Sequence, residues 1–307
     1  MKRFITITLS FLLLFAFTFS ALAGDFVPIC GIDVSYWQGD INWGMVAGGD
    51  TEFAIIRLGF NDRQDTQFEN NYNNAKANGI PVGLYMYSYA VTEQAAIEEA
   101  EIVLQRIKGK QFEYPIYLDI EDSKLLKPEY GLTKEQRTKN ALAFVRKMQE
   151  NGYYAGVYAN LDWFANYLDV NSLADECELW IAHYNKNVDY KDTIYGMWQY
   201  TDNGEIPGIT VNTVDLNICY KDYPSIIKNG GYNGFEKPSV TPTPIRGDLN
   251  DDGQVNLDDV VLLAQYVAGW QIEVKPEDLN LNGDLDGKVD LDDVVWLAQK
   301  VAGWDVK

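Results

Sequence analysis

Eight short apolar runs punctuate the first 220 residues, and their spacing is that of strands. They are CGIDVSY (30–36), FAIIRLGF (53–60), PVGLYMYSY (81–89), PIYLDIE (115–121), YAGVYAN (154–160), LWIAHY (179–184), YGMWQYT (195–201) and VDLNICY (214–220). Several are continuously apolar rather than alternating, as strands buried on both faces are. Between the early runs apolar positions recur with a helical period, most clearly over 92–107 and 133–150. The second of these opens with Thr133-Lys134-Glu135-Gln136, a capping box. After the fifth run the helical stretches shrink or vanish. The class is α/β: an irregular β/α barrel of about eight strands over 24–228, with helices mainly between the first five.

The pattern then breaks. Residues 229–245 are dominated by Gly, Pro and Thr without periodicity, which reads as an interdomain linker. Beyond it NDDGQVNLDDVVLLAQYVAGW (250–270) returns 34 residues later as DLDGKVDLDDVVWLAQKVAGW (284–304). A duplication this close predicts two copies of one unit, here a small all-α domain over 246–307.

Charge sharpens the division. The formal net charge is -20, and 246–307 alone holds 14 acidic against 5 basic residues. So acidic a chain argues against nucleic acid and anionic membranes as partners, since phosphates need clustered Lys and Arg. The first 23 residues combine Lys2 and Arg3, an apolar run and Ala21-Leu22-Ala23, a secretory signal with its cleavage site. No later stretch is long and apolar enough to span a bilayer, so the mature chain is expected outside the cytoplasm. Cys30, Cys177 and Cys219 are too few for a disulfide framework and too scattered for a metal cluster.

The fourth run carries the first chemical signal. In YPIYLDIED (114–122), Asp119 and Glu121 lie two residues apart on a strand. They point the same way, about 6.6 Å apart along the chain, close enough to perturb each other's ionisation. Asp33 and Asp215 sit at the ends of the first and last runs, which are neighbours in a closed barrel. All four then ring one mouth. Tyr36, Trp37, Tyr85, Tyr87, Tyr158, Trp180, Trp198 and Tyr200 lie on or beside these runs. Acids that protonate and stabilise, beside aromatic faces for sugars, suit a polysaccharide cleft. Taken singly, each is an ordinary polar strand end or core aromatic.

Each copy of the repeat carries a calcium-loop pattern. With Asp248 as position 1, Asn250, Asp252, the Gln254 carbonyl, Asn256 and Asp259 fall where a 12-residue loop places its oxygen ligands, and Gly253 falls at the sharp turn. The second loop reads Asn282, Asp284, Asp286, Gly287, Lys288 (through its carbonyl), Asp290 and Asp293. Its first ligand is Asn, so this site is expected to be weaker, with Asp278 and Asn280 nearby as substitutes. Both loops end in Asp and a single helix follows each, which resembles a type I dockerin. The resemblance implies two structural calcium ions and a cohesin domain of a scaffold protein as partner. The implied contacts are Leu257, Asp258, Ala264 and Gln265, with their copies Leu291, Asp292, Ala298 and Gln299. Leucine stands where many dockerins carry a hydroxyl residue, which leaves the cohesin type open. The alternative is a calcium-stabilised spacer without a partner.

GIDVSYWQGDINW (31–43), GIPVGLYMYSYA (79–90), YLDIED (117–122), LWIAHY (179–184) and WQYTDNGEIPGITVNTVDLN (198–217) together resemble glycoside hydrolase family 25, the Chalaropsis-type lysozymes. The resemblance implies hydrolysis of the β-1,4 bond between N-acetylmuramic acid and N-acetylglucosamine in peptidoglycan, without a catalytic cofactor; with the signal segment and the dockerin-like repeat, the expectation is a secreted muramidase carried on a scaffold or cell surface. By motif, Glu121 is its general acid. Asp119 polarises the substrate's acetamido group or a water, and Asp33 and Asp215 hold the sugar. Tyr36, Trp37, Tyr85, Tyr87, Tyr158 and Trp198 are the expected substrate-binding aromatics. His183 stands where related sequences often carry arginine. The family's last strand runs antiparallel to its first, which would admit a Cys30–Cys219 disulfide. Two other readings are weighed: an idle peptidoglycan-binding barrel, and another acetamido-assisted glycosidase, which the flanking motifs do not fit.

Overall fold

The computed structural model describes residues 26–186, 195–238, 245–250, 252–272, 279, 281–282 and 288–304. The predicted signal segment lies outside these residues. The chain divides between Pro238 and Ser239 into two compact units.

In the first unit the strands are β1 (Ile29–Val34), β2 (Phe53–Phe60), β3 (Arg63–Gln64), β4 (Val82–Tyr87), β5 (Ile116–Asp119), β6 (Ala155–Asn160), β7 (Glu178–Ala182), β8 (Met197–Gly204) and β9 (Val214–Cys219). The helices between them are α1 (Trp43–Ala47), α2 (Phe68–Ala77), α3 (Glu93–Arg106), α4 (Lys134–Glu150) and the short α5 (Val170–Ala174); α6 (Tyr223–Gly230) follows the last strand. Strand order is β1-β9-β8-β7-β6-β5-β4-β2, and β1 also pairs with β2, so eight strands close into a barrel. β3 is a two-residue flap on the edge of β2. The other neighbours are parallel, but β9 is antiparallel to both β8 and β1. The start of β9 therefore lies at the mouth where the other strands end.

Alternation sorts the side chains into two cores. Ile32, Ala54, Ile56, Leu84, Leu118, Val157 and Ile181 face outward, under the helices. Phe53, Ile55, Tyr117, Tyr158, Trp180 and Met197 face inward and fill the barrel. α4 begins at Thr133, whose hydroxyl accepts from the Gln136 N–H at 3.1 Å, as the sequence predicts.

Two expectations give way. The stretch 229–235, read as linker, belongs to the barrel unit. Asn233 is fully buried and donates to the carbonyls of Phe112 (3.2 Å) and Tyr114 (2.9 Å), while its side-chain oxygen accepts from the Tyr154 N–H at 2.7 Å. Glycine-rich sequence here marks tight turns, not a tether. The Cys30–Cys219 bridge does not form; all three cysteines are free. Cys30 stands opposite Ile218 and Cys219 opposite Ile29, so the two thiols lie on opposite faces of the sheet.

In the second unit α7 (Leu257–Val267) and α8 (Leu291–Val301) share a small core of Leu263, Leu279, Leu281 and Leu297. Asn256 and Asp290 cap the two helices in the same way. Among the described residues, no helix is long and apolar enough to cross a membrane.

Candidate active site

Asp33, Asp119 and Asp215 come together at the barrel mouth with Glu121 beside them. Asp33 and Asp215 are direct partners across β1 and β9. Asp119 closes β5 beside Tyr87 on β4 and Tyr158 on β6. Glu121 lies two residues past the strand, but Ile120 still donates to the Tyr158 carbonyl at 3.0 Å, so the alternation continues to it.

Asp33 is gripped from inside the barrel. Its Oδ2 accepts from Gln199 Nε2 (2.8 Å) and Asn217 Nδ2 (2.9 Å). Trp180 Nε1 donates to Asn217 at 2.8 Å, and the hydroxyls of Tyr158 (3.0 Å) and Tyr184 (3.1 Å) donate to Gln199. These bonds fix both amides with their N–H groups toward Asp33. Burial pushes the Asp33 carboxyl up to about 6 against these donors. Burial, then the charge of Asp33, pushes Asp215 up to about 8. Each carboxyl disfavours ionisation of the other, so the strand partners Asp33 and Asp215 resist carrying two charges at once.

Asp119 is 4% exposed, and its Oδ1 has no hydrogen-bond partner. Burial, and after it Glu121 and Asp33, raise its pKa well above the carboxylate range, while Arg57 pulls the other way. Burial also raises Glu121, opposed by Asn160. Asn160 donates twice to Glu121 Oε2, from its Nδ2 (2.8 Å) and its backbone N–H (3.1 Å). A protonated Glu121 therefore carries its hydrogen on Oε1.

The aromatics divide. Trp37 is 57% exposed and lies 4.4 Å from Tyr36, whose ring covers the Arg57 guanidinium at 4.8 Å. Tyr87, partly buried, donates to Asp122 at 3.1 Å. Tyr85 points inward, 6.1 Å from Trp180. Tyr158 and Trp180 form the floor, with rings 4.4 Å apart. Trp198, expected at the mouth, is on the outer face; it is 6% exposed, beside Tyr200 at 5.7 Å. Its neighbour Gln199 takes the inward position, and one residue of register reverses a face. His183 joins β7 to β8 through its backbone, accepting from Trp198 Nε1 at 2.8 Å.

Asn160, Gln199, Asn217 and the Arg57–Asp65 ion pair (2.7 Å) did not emerge from the sequence. Arg57 left a trace, a lone charge inside FAIIRLGF; neutral amides in aromatic runs leave none.

In the second unit, Asp248 accepts from the N–H groups of Asp252 (3.2 Å) and Gly253 (2.8 Å), and Asp252 accepts from that of Gln254 (2.8 Å). Asn250 Oδ1 accepts from the Asp252 N–H at 3.0 Å. Gly253 has φ +83°, the left-handed turn position 6 requires. Asp259 and Asp293 are fully buried and accept from Leu249 and Leu281 respectively, each at 2.7 Å. The donors are all oxygen, which suits a hard cation. Among the described residues no three acidic, His or Cys side chains converge as a metal cage. Asp284 and Asp286 lie outside those residues; Asn282 and Lys288 lie within them. Leu257 (67%) and Leu291 (66%) are exposed, as are Asp258 and Asp292 beside them.

The family model for glycosyl hydrolases family 25 matches residues 32–209. Lysozyme M1 of Streptomyces globisporus is 28% identical over 203 residues, covering 63% of this chain and 68% of that protein. The autolytic lysozyme of Clostridium acetobutylicum is 26% identical over 188 residues, covering 61% and 54%. Among solved structures, the modular autolysin LytC from Streptococcus pneumoniae superposes with a TM-score of 0.57 at 27% identity over 63% of this chain. The match spans about half of that protein, 47% of its length. The bacterial lysozyme from Streptomyces coelicolor shares the fold, with a TM-score of 0.56 at 24% identity, over 66% of this chain and 98% of its own.

Proposed function

This chain belongs to family 25 of the glycosyl hydrolases, and from that premise we propose a muramidase that cuts the β-1,4 bond between N-acetylmuramic acid and N-acetylglucosamine in peptidoglycan. The observation that carries the reading is the pair of N–H bonds on Glu121 Oε2, which leaves Oε1 to hold a proton. Glu121 gives that proton to the departing sugar oxygen. Burial keeps it protonated above the ordinary carboxylate range, as a general acid requires. Asp119, with an unpartnered oxygen, polarises the acetamido group or a water. Asp33 and Asp215 orient the sugar, and Tyr36, Trp37 and Tyr87 offer it aromatic surface. Release of reducing ends from purified peptidoglycan tests this. Glu121→Gln should fall at least about a hundredfold; equal rates in wild type and variant would remove the role and leave a barrel that binds without cutting.

The second unit supports a companion proposal: a calcium-dependent dockerin that attaches the secreted hydrolase to a cohesin-bearing scaffold. Two oxygen-rich loops in duplicate, each followed by a helix with an exposed leucine and aspartate, are what supports it. Calcium would be held by Asp248, Asn250, Asp252, Gln254 and Asp259, and by their counterparts in the second loop. It would neutralise an acidic segment that otherwise repels itself. A chelator should unfold 246–307 and leave the barrel's near-ultraviolet spectrum intact. An unchanged far-ultraviolet helix signal would sink the calcium reading.

A further inference from the structure

An aromatic row leads away from the catalytic acids along one flank of the mouth. Tyr87 is the strand partner of both Asp119 and Phe60. Its ring is 5.2 Å from Tyr89, which meets Phe60 edge-on at 6.3 Å. All three rings are partly exposed. Two cations lie against the outer rings: Lys124 Nζ is 4.9 Å from the Tyr89 centroid, and the Arg63 guanidinium 5.9 Å from that of Phe60. Both are exposed, and neither pairs with a carboxylate among the described residues. Arg57, by contrast, is taken by Asp65. In a chain of net charge -20, with four acids in the mouth, two uncommitted cations on one flank stand out against the surrounding field.

We propose that Arg63 and Lys124, seated on Phe60 and Tyr89, receive the carboxylates of the substrate's peptide stems. This rests on the muramidase reading. The glycan itself is uncharged where its acid groups are tied up in stem linkages, so an acidic mouth tolerates it. The stems carry free carboxylates, which the field of a chain of net charge -20 repels everywhere but beside its uncommitted cations. A strand is therefore accepted in the orientation that turns its stems toward this flank. The rings hold the cationic heads without neutralising them and keep them available to an incoming anion.

The test uses peptidoglycan freed of phosphate polymers, and the same material with its stem carboxylates converted to amides by carbodiimide and ammonia. Sedimentation with the insoluble wall and reducing-end release are both measured. Wild type should lose about fivefold in binding and in kcat/KM on the amidated wall, the scale of two partly exposed ion pairs. The Arg63→Gln/Lys124→Gln double variant should show that loss already on the untreated wall and none on amidation. Arg63→Lys/Lys124→Arg should keep the wild-type ratio. A double variant that still distinguishes the two walls as wild type does overturns the proposal, and so does a wild type blind to amidation. If wild type releases no reducing ends, the muramidase reading falls, and the sedimentation ratio still decides this one.

Discussion

Asn160 controls where the proton of Glu121 sits and how tightly it is held. Both of its donors favour the charged carboxylate, against the burial that favours the neutral acid. In the proposed role of general acid, Glu121 works in its neutral form, so activity should fall as pH rises through its pKa. Asn160→Ala removes one donor and favours the neutral form. The alkaline limb of the kcat/KM profile should then move to higher pH by roughly one unit, and a limb that moves down would contradict the assignment. The acids of this site were readable because strand alternation sets Asp119 and Glu121 on one side. Asn160 was not, because a carboxamide ending YAGVYAN reads the same in a surface turn. Its partner is 39 residues away, and only strand neighbours in space bring them together.

At the scale of elements, the apolar runs marked every barrel strand, but several overshot their ends. CGIDVSY runs to 36, and β1 stops at Val34. The last residues of such runs turn into the mouth, where Ser35 caps the turn that carries Tyr36 and Trp37. β2 shows how local geometry serves the rim. Its register shifts between Arg57 and Gly59, and Gly59 sits at φ +155°, where a Cβ would lie 2.0 Å from the Arg63 carbonyl oxygen. Gly59→Ala should cost about 1–3 kcal/mol in chemical denaturation. It should also displace the β3 flap that carries Arg63. A stability within error of wild type would show that the flap yields freely. Trp198 illustrates the limit of pattern. Alternation says that neighbours on a strand face oppositely, not which of them faces the axis.

For the whole molecule, the boundary between units is a matter of packing. Asn233 links the α6 segment to the chain before β5 and to the start of β6 through three buried hydrogen bonds. A chain ended at Pro238 should unfold at the same urea concentration as the barrel in the full chain. One ended at Lys228 leaves those groups unpaired and should lose about 3 kcal/mol or more. Equal midpoints would return 229–238 to the linker. The sequence by itself determined the order of strands and helices, the duplicated acidic unit and the pairing of Asp119 with Glu121, because these depend on periods of two and 3.6 residues along one strand or helix. Tertiary structure alone decided which face of each strand looks inward, that Gln199 and Asn217 hold Asp33 across 166 and 184 residues, and that Asn233 in a glycine-rich stretch is buried. Those facts follow from closing the barrel, which sets distant residues side by side, and no local period records which ones meet.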